Sequence, residues 1–134
     1  MASGKGTSFA NQVLNLLNGV SITAPATVYI ALFTTEEGAG GTGTEVVSGV
    51  GYSRVAVTCN TTNFPTASNG SISNGTVIAF GTATGNWGTV TNFGIMPAST
   101  GQNPIYYCDL TVSKTLTSGD TCSFGVGELT ITES

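Results

Sequence analysis

The sequence contains no histidine, and only three of its 134 residues are basic: Lys5, Arg54 and Lys114. Each shortage closes off a class of function. Binding a nucleic-acid backbone takes several clustered cations, and three scattered ones against a net charge of −4 form no such patch, so no nucleic-acid partner is expected. Without imidazole the ordinary zinc ligand sets cannot be assembled, and a serine or cysteine nucleophile lacks its usual base. Long apolar runs are missing too. The longest, "VYIALF" at residues 28–33, falls far short of the ~20 residues that cross a bilayer, so no membrane partner is expected. The opening "MASGKGTS" lacks the apolar stretch and cleavage site of a signal peptide, which predicts synthesis in a cytoplasm.

Acidic residues number only seven. Paired-carboxylate chemistry needs two of them facing each other across a substrate. Asp109 and Glu128 alone lie close to predicted strands, and nothing in their spacing makes them converge. The stretch "GAGGTG", residues 38–43, spells G-x-G-x-x-G after a predicted strand, but the following "TEVVSGVGY" has no helical period to offer a pyrophosphate an N-terminus. Glu36, Glu37 and Glu45 would also repel a phosphate. The expectation is a protein that is not an enzyme, with no catalytic residue, cofactor or metal.

Three cysteines make an odd set with no C-x-x-C pair. Strand alternation puts Cys59 with Val55 and Val57, Cys108 with Tyr106 and Leu110, and Cys122 with Phe124, so all three are expected as reduced packing residues.

Glycine is plentiful, at 19 residues or roughly twice the usual ~7%, and the hydrophobic fraction of 40% is high for so few charges. This composition suits strands and tight turns and argues against disorder. The length suits one domain spanning residues 1–134. After a flexible N-terminus over residues 1–7, "SFANQVLNLLNG" spaces Phe9, Val13, Leu16, Leu17 and Val20 by threes and fours. That predicts a helix over residues 8–19, capped by Thr7 or Ser8, closed by a left-handed Gly19, and laid by its apolar stripe over a sheet or an open end.

Beyond Thr27 the segments are short, β-branched and bounded by turn residues. "TVYIALF" is apolar on both alternating faces and reads as a central strand, while "SRVAVTC" alternates as a half-exposed one. Asn69-Gly70 and Asn74-Gly75 are strong hairpin signals ahead of "TVIAF". "PIYYCDLTV" and "TCSFGVGELTIT" supply the last strands. The prediction is a mainly β chain, a jelly-roll-like β-sandwich of about seven to nine strands, with one short N-terminal helix and a long glycine-rich loop over residues 34–52. A loop of that length is functional or mobile.

The strand "NWGTVTNFGIM", residues 86–96, holds the only tryptophan. Alternation places Trp87, Thr89, Thr91, Phe93 and Ile95 on one face and Gly88, Val90, Asn92, Gly94 and Met96 on the other. Neither face is polar, which predicts cover on both sides.

Taken together, the opening helix, "VYIALFTTEEGAGGTGTEVVSGVGYSRVAV", "NWGTVTNFGI" and "LTVSKTLTSGDTCSFGVGELTIT" resemble a family of small virion proteins of tailed bacteriophages. Some members of that family are labelled capsid-stabilising or decoration proteins and others tail-fibre proteins. The resemblance implies a structural role on the particle. The absence of repeats and heptads favours a decoration or cement protein on the capsid surface that bridges major capsid subunits and associates with itself as a trimer or dimer. The alternative is a tail-fibre or baseplate protein, with host glycans as a ligand if Trp87, Tyr106 and Tyr107 are exposed together. The implied interface draws on Phe9, Val13, Leu16 and Leu17 of the helix and on Glu36, Glu37, Thr42 and Glu45 of the loop. Trp87 and Phe93 of the tryptophan strand complete it.

Overall fold

The computed structural model describes residues 3–133. Among these residues nine strands form: β1 (Ser3–Lys5), β2 (Thr27–Phe33), β3 (Val55–Thr58), β4 (Ser71–Ser73), β5 (Ile78–Thr82), β6 (Gly88–Met96), β7 (Tyr106–Leu116), β8 (Thr121–Phe124) and β9 (Thr130–Thr132). One helix, α1 (Thr7–Leu14), runs into a 3-10 turn over Asn15–Asn18. A five-stranded antiparallel sheet has the order β1-β7-β6-β2-β3. Two separate ladders, β4-β9 and β5-β8, complete the sandwich. The mainly β sandwich read from the sequence is present, with its second layer split into two ribbons rather than joined into one sheet.

Between the layers lies one apolar core. Val28, Ile30 and Leu32 of β2 meet Ile78 and Phe80 of β5, Phe124 of β8 and Ile131 of β9 there. Aromatic rings run through it in sequence: Tyr52 meets Trp87 edge-on at 5.4 Å and stacks beside Phe80 at 6.1 Å, Phe80 meets Phe124, and Phe124 meets Phe93. The opposite face of β2 and β6 holds a smaller cluster of Ala31, Phe33 and Met96. Apolar residues at consecutive positions are therefore buried on both sides, which suits "TVYIALF" to an interior strand, paired with β6 on one side and the edge strand β3 on the other.

The alternation read for β6 holds only in part. Val90 joins Trp87, Phe93 and Ile95 in the main core instead of sharing a face with Met96. The cause is a register shift between Val90 and Asn92: Val90 faces Lys114 whereas Asn92 faces Asp109, so a loop of β7 bulges opposite Thr91. Trp87 is 3% exposed, and its indole N–H donates to the Val50 carbonyl at 2.7 Å.

The two Asn-Gly pairs turn out to do different work. Asn69 and Gly70 both have positive φ, 53° and 75°, and Ser68 and Ser71 exchange backbone hydrogen bonds across them, giving the expected type I′ hairpin. Asn74 is instead buried. Its side chain donates to the carbonyls of Thr76 and Gly125 at 2.8 and 2.9 Å and accepts the Leu129 N–H at 2.9 Å. A side chain on Gly75 would collide with the Thr62 carbonyl and Pro65, so this glycine serves close packing and not a turn.

Two N-terminal expectations are corrected. Residues 3–5, expected to be flexible, form β1 and pair with β7 in the register Lys5↔Tyr106; Met1 and Ala2 lie outside the described residues. The helix also starts and ends differently. Its N-cap is Gly6, with no side-chain cap, and true α-helix stops at Leu14. The left-handed Gly19 does close the segment, at φ 80°, with Gly19 N–H to Leu16 O and Val20 N–H to Asn15 O, each 3.1 Å.

Candidate binding surface

No residue of α1 or of the 3-10 turn is buried, so the apolar stripe of the N-terminal segment is not laid over the sheet. Phe9 meets Tyr106 edge-on at 5.4 Å, and Val13 is half-buried. Leu16 and Leu17 remain 51% and 88% exposed, with Leu14 and Val20 beside them. The segment from α1 to the start of β2 is thus an arm, attached at its root and bare at its tip. At the root the Gly6 N–H donates to Ile105 O and the Thr7 N–H to Ala39 O, each at 2.9 Å. Gly6 is required there because any side chain would overlap the Pro104 carbonyl.

Under the arm the sandwich is open. A cavity of about 540 Å³ is bounded by Phe9 and Ile22 of the arm, Phe64, Ile72 of β4, Ile105 and Ile131 of β9. Its walls carry no charged side chain. The arm's stripe is legible in the sequence but this opening is not, because its walls come from segments far apart in the chain. The inward isoleucines of "SIS" and "TIT" were the available signal, since period-2 alternation points Ile72 and Ile131 the same way in paired strands.

The glycine-rich loop, expected to be functional or mobile and to contribute to an interface, is folded onto its own domain. Thr34 N–H donates to Thr44 O at 2.8 Å, Val46 N–H to Leu32 O at 3.0 Å, and Val46 enters the core. Glu37 is fully buried, accepting the Gly43 N–H at 2.9 Å. With its amide nitrogen assigned to the inner position, Gln102 donates to both Glu37 oxygens at 3.1 and 3.2 Å and to Gly41 O at 3.0 Å. Burial raises the Glu37 carboxyl above its ordinary range, opposed by the Gly43 hydrogen bond. Gly41, at φ 71°, packs directly on the Gln102 backbone, so the "GAGGTG" stretch is filled by its own chain.

A second knot holds the loop's far end. Arg54 grips Glu45 in a bidentate pair, Nε to Oε2 at 2.9 Å and Nη2 to Oε1 at 2.8 Å. It also donates to Ala98 O and Gly101 O. Tyr52 adds its hydroxyl to Glu45 at 2.5 Å and accepts the Leu32 N–H at 3.0 Å. The Glu45 hydrogen bond raises the Arg54 pKa, while burial and Glu45 together raise that of Tyr52. This knot was not read from the sequence. The only signal was an arginine that stands alone as the one of its kind.

The expected interface residues therefore separate. Leu16 and Leu17 stand free, with Phe9 and Val13 half-covered behind them, and Glu36 and Thr42 are exposed on the loop. Glu37 and Glu45 are committed to internal bonds. Trp87 and Phe93 lie in the core, each 3% exposed, and cannot meet a partner. The aromatic trio considered for glycans is not assembled: Trp87 is buried, and the consecutive Tyr106 and Tyr107 point to opposite faces of β7, Tyr106 donating to Glu133.

Cys59, Cys108 and Cys122 are unbridged, in or against the main core with the neighbours expected, and burial raises each thiol's pKa. Asp109 takes the Asn92 amide and Glu128 the Gly125 N–H, so both are used in holding the fold. Among the described residues no group of three His, Cys, Asp or Glu is placed to hold a metal, and no helix is long and apolar enough to cross a membrane.

These features define a β-sandwich module with an uncharged apolar arm over an open end. The chain belongs to the family described as Podophage GP4 fiber I protein gp80 (Gp80), whose model matches residues 4–132. It is a structural protein of a phage virion. Among curated proteins none matches the chain.

Proposed function

We propose that the protein is a subunit of a phage fibre at the tail or baseplate, where it acts as a rigid, sparsely charged module with a mechanical rather than a catalytic role. The observation that carries this reading is the family match over residues 4–132, whose description is that of a fibre protein. The packed loop, the Arg54 knot and the paired N-terminal strand support rigidity. Its contacts with other virion proteins rest on shape and apolar burial, since the chain has only ten charged residues in all, three basic and seven acidic.

The second reading is capsid decoration, with the major capsid protein as partner. A single compact body without repeats favours it, because fibre shafts are usually repetitive. Labelling of intact particles with antibody against the purified protein separates the two. Label confined to the tail or to projecting fibres is the expected result, and label spread evenly over the head would establish decoration instead.

A further inference from the structure

The arm presents a protruding apolar tip and, beside its root, an apolar opening that its own tip does not fill. Leu17 is the most exposed of the large hydrophobic residues described, and Leu14, Leu16 and Val20 surround it within one helical turn or the cap. A helix of two turns followed by one 3-10 turn is too short to be stable in water on its own residues, so cover from outside favours its folded form. A patch of aliphatic side chains on a neutral surface marks a contact site.

Charge decides what kind of partner fits. From Gly6 to Thr35 the chain has no charged side chain, and the walls of the opening have none. Two copies of this segment can therefore approach without like-charge repulsion, although each whole chain carries a net −4. A second copy supplies both halves of the match, an aliphatic tip for the opening and an opening for the tip. Because the arm that carries the tip also borders the opening, a two-fold axis between two copies lets each tip enter the other's opening.

We propose that the protein self-associates by reciprocal arm exchange, with Leu16 and Leu17 of one copy inserted into the opening bounded by Phe9, Ile22, Phe64, Ile72, Ile105 and Ile131 of a second copy. The contact is independent of where on the particle the protein sits.

Cys59 also lines the opening and is unbridged, which gives a direct probe. In the Leu17→Cys variant, mild oxidation forms a disulfide between the introduced thiol and Cys59 of the other copy, seen as a dimer on a non-reducing gel and located by peptide mapping. Sedimentation equilibrium of the full chain is the second readout: wild type is a dimer, and Leu17→Glu raises the dissociation constant about a hundredfold, as expected for removing a buried leucine and burying a charge. Leu17 is too exposed for the change to unfold the chain, which circular dichroism checks. A wild type that stays monomeric at high micromolar concentration, a Leu17→Glu variant that still associates, or a crosslink that maps away from Cys59 would each overturn the proposal. So would a monomer whose Leu17→Glu form is missing from assembled particles, because the tip would then serve another virion protein.

Discussion

At the scale of single residues, buried polar groups organise this fold as much as the apolar core does. Asn74 joins the end of β4 to the segment that carries Gly125 and Leu129, and its own backbone N–H and carbonyl also bond to Leu129 and Gly127. Asn74→Ala would leave the Leu129 N–H and the Gly125 carbonyl without this partner inside the protein. A loss of about 3 kcal/mol is expected from urea unfolding monitored by tryptophan fluorescence, with an unchanged slope. Glu37 gives a prediction with a sign. Its folded pKa is raised above 4.5, so across the interval just above that value the folded chain holds more proton than the unfolded one. This group's contribution is therefore greatest in acid and falls as pH rises through that interval. Glu37→Gln cannot ionise and lacks this component. The stability difference between wild type and Glu37→Gln should move against wild type as pH rises from about 4 to 7; a pH-independent difference would show that Glu37 is not held protonated more firmly in the fold.

At the scale of elements, the arm is held by its root. Gly6 brings the chain against Pro104 and lets its N–H reach Ile105, so Gly6→Ala should cost about 2 kcal/mol, and limited proteolysis should cut sooner between residues 7 and 26. Local chemistry was legible in the sequence where the chain decides its own shape. Gly19 closes the arm as its position foretold, and Asn69-Gly70 makes the expected turn. The same dipeptide at Asn74-Gly75 makes none, because a distant segment, Thr62 to Pro65, claims the space beside it. In β6 the register shift at Thr91 moves Val90 to the other face, and β1 pairs through "SGK", three residues with no strand preference. Periodicity shows which residues share a stripe; it does not show what covers them. That is why Phe9, Val13, Leu16 and Leu17 were legible as one face while the empty opening beneath was not.

At the scale of the whole molecule, the two ends of the chain are fastened together and the middle is locked. Lys5 of β1 pairs with Glu133 beyond β9, and Arg54 ties the glycine-rich loop to the turn at Ala98 and Gly101. What remains for a partner is the bare arm tip, the opening below it and a surface with few charges. Such a body suits the proposed role of a fibre subunit present in small numbers. The measurement that tests this most directly is the copy number per purified particle, by quantitative mass spectrometry against the major capsid protein. A fibre subunit should be present at a small fraction of the capsid protein, in a multiple set by the tail's symmetry. A copy number close to that of the capsid protein would contradict the fibre assignment and place the protein on the shell.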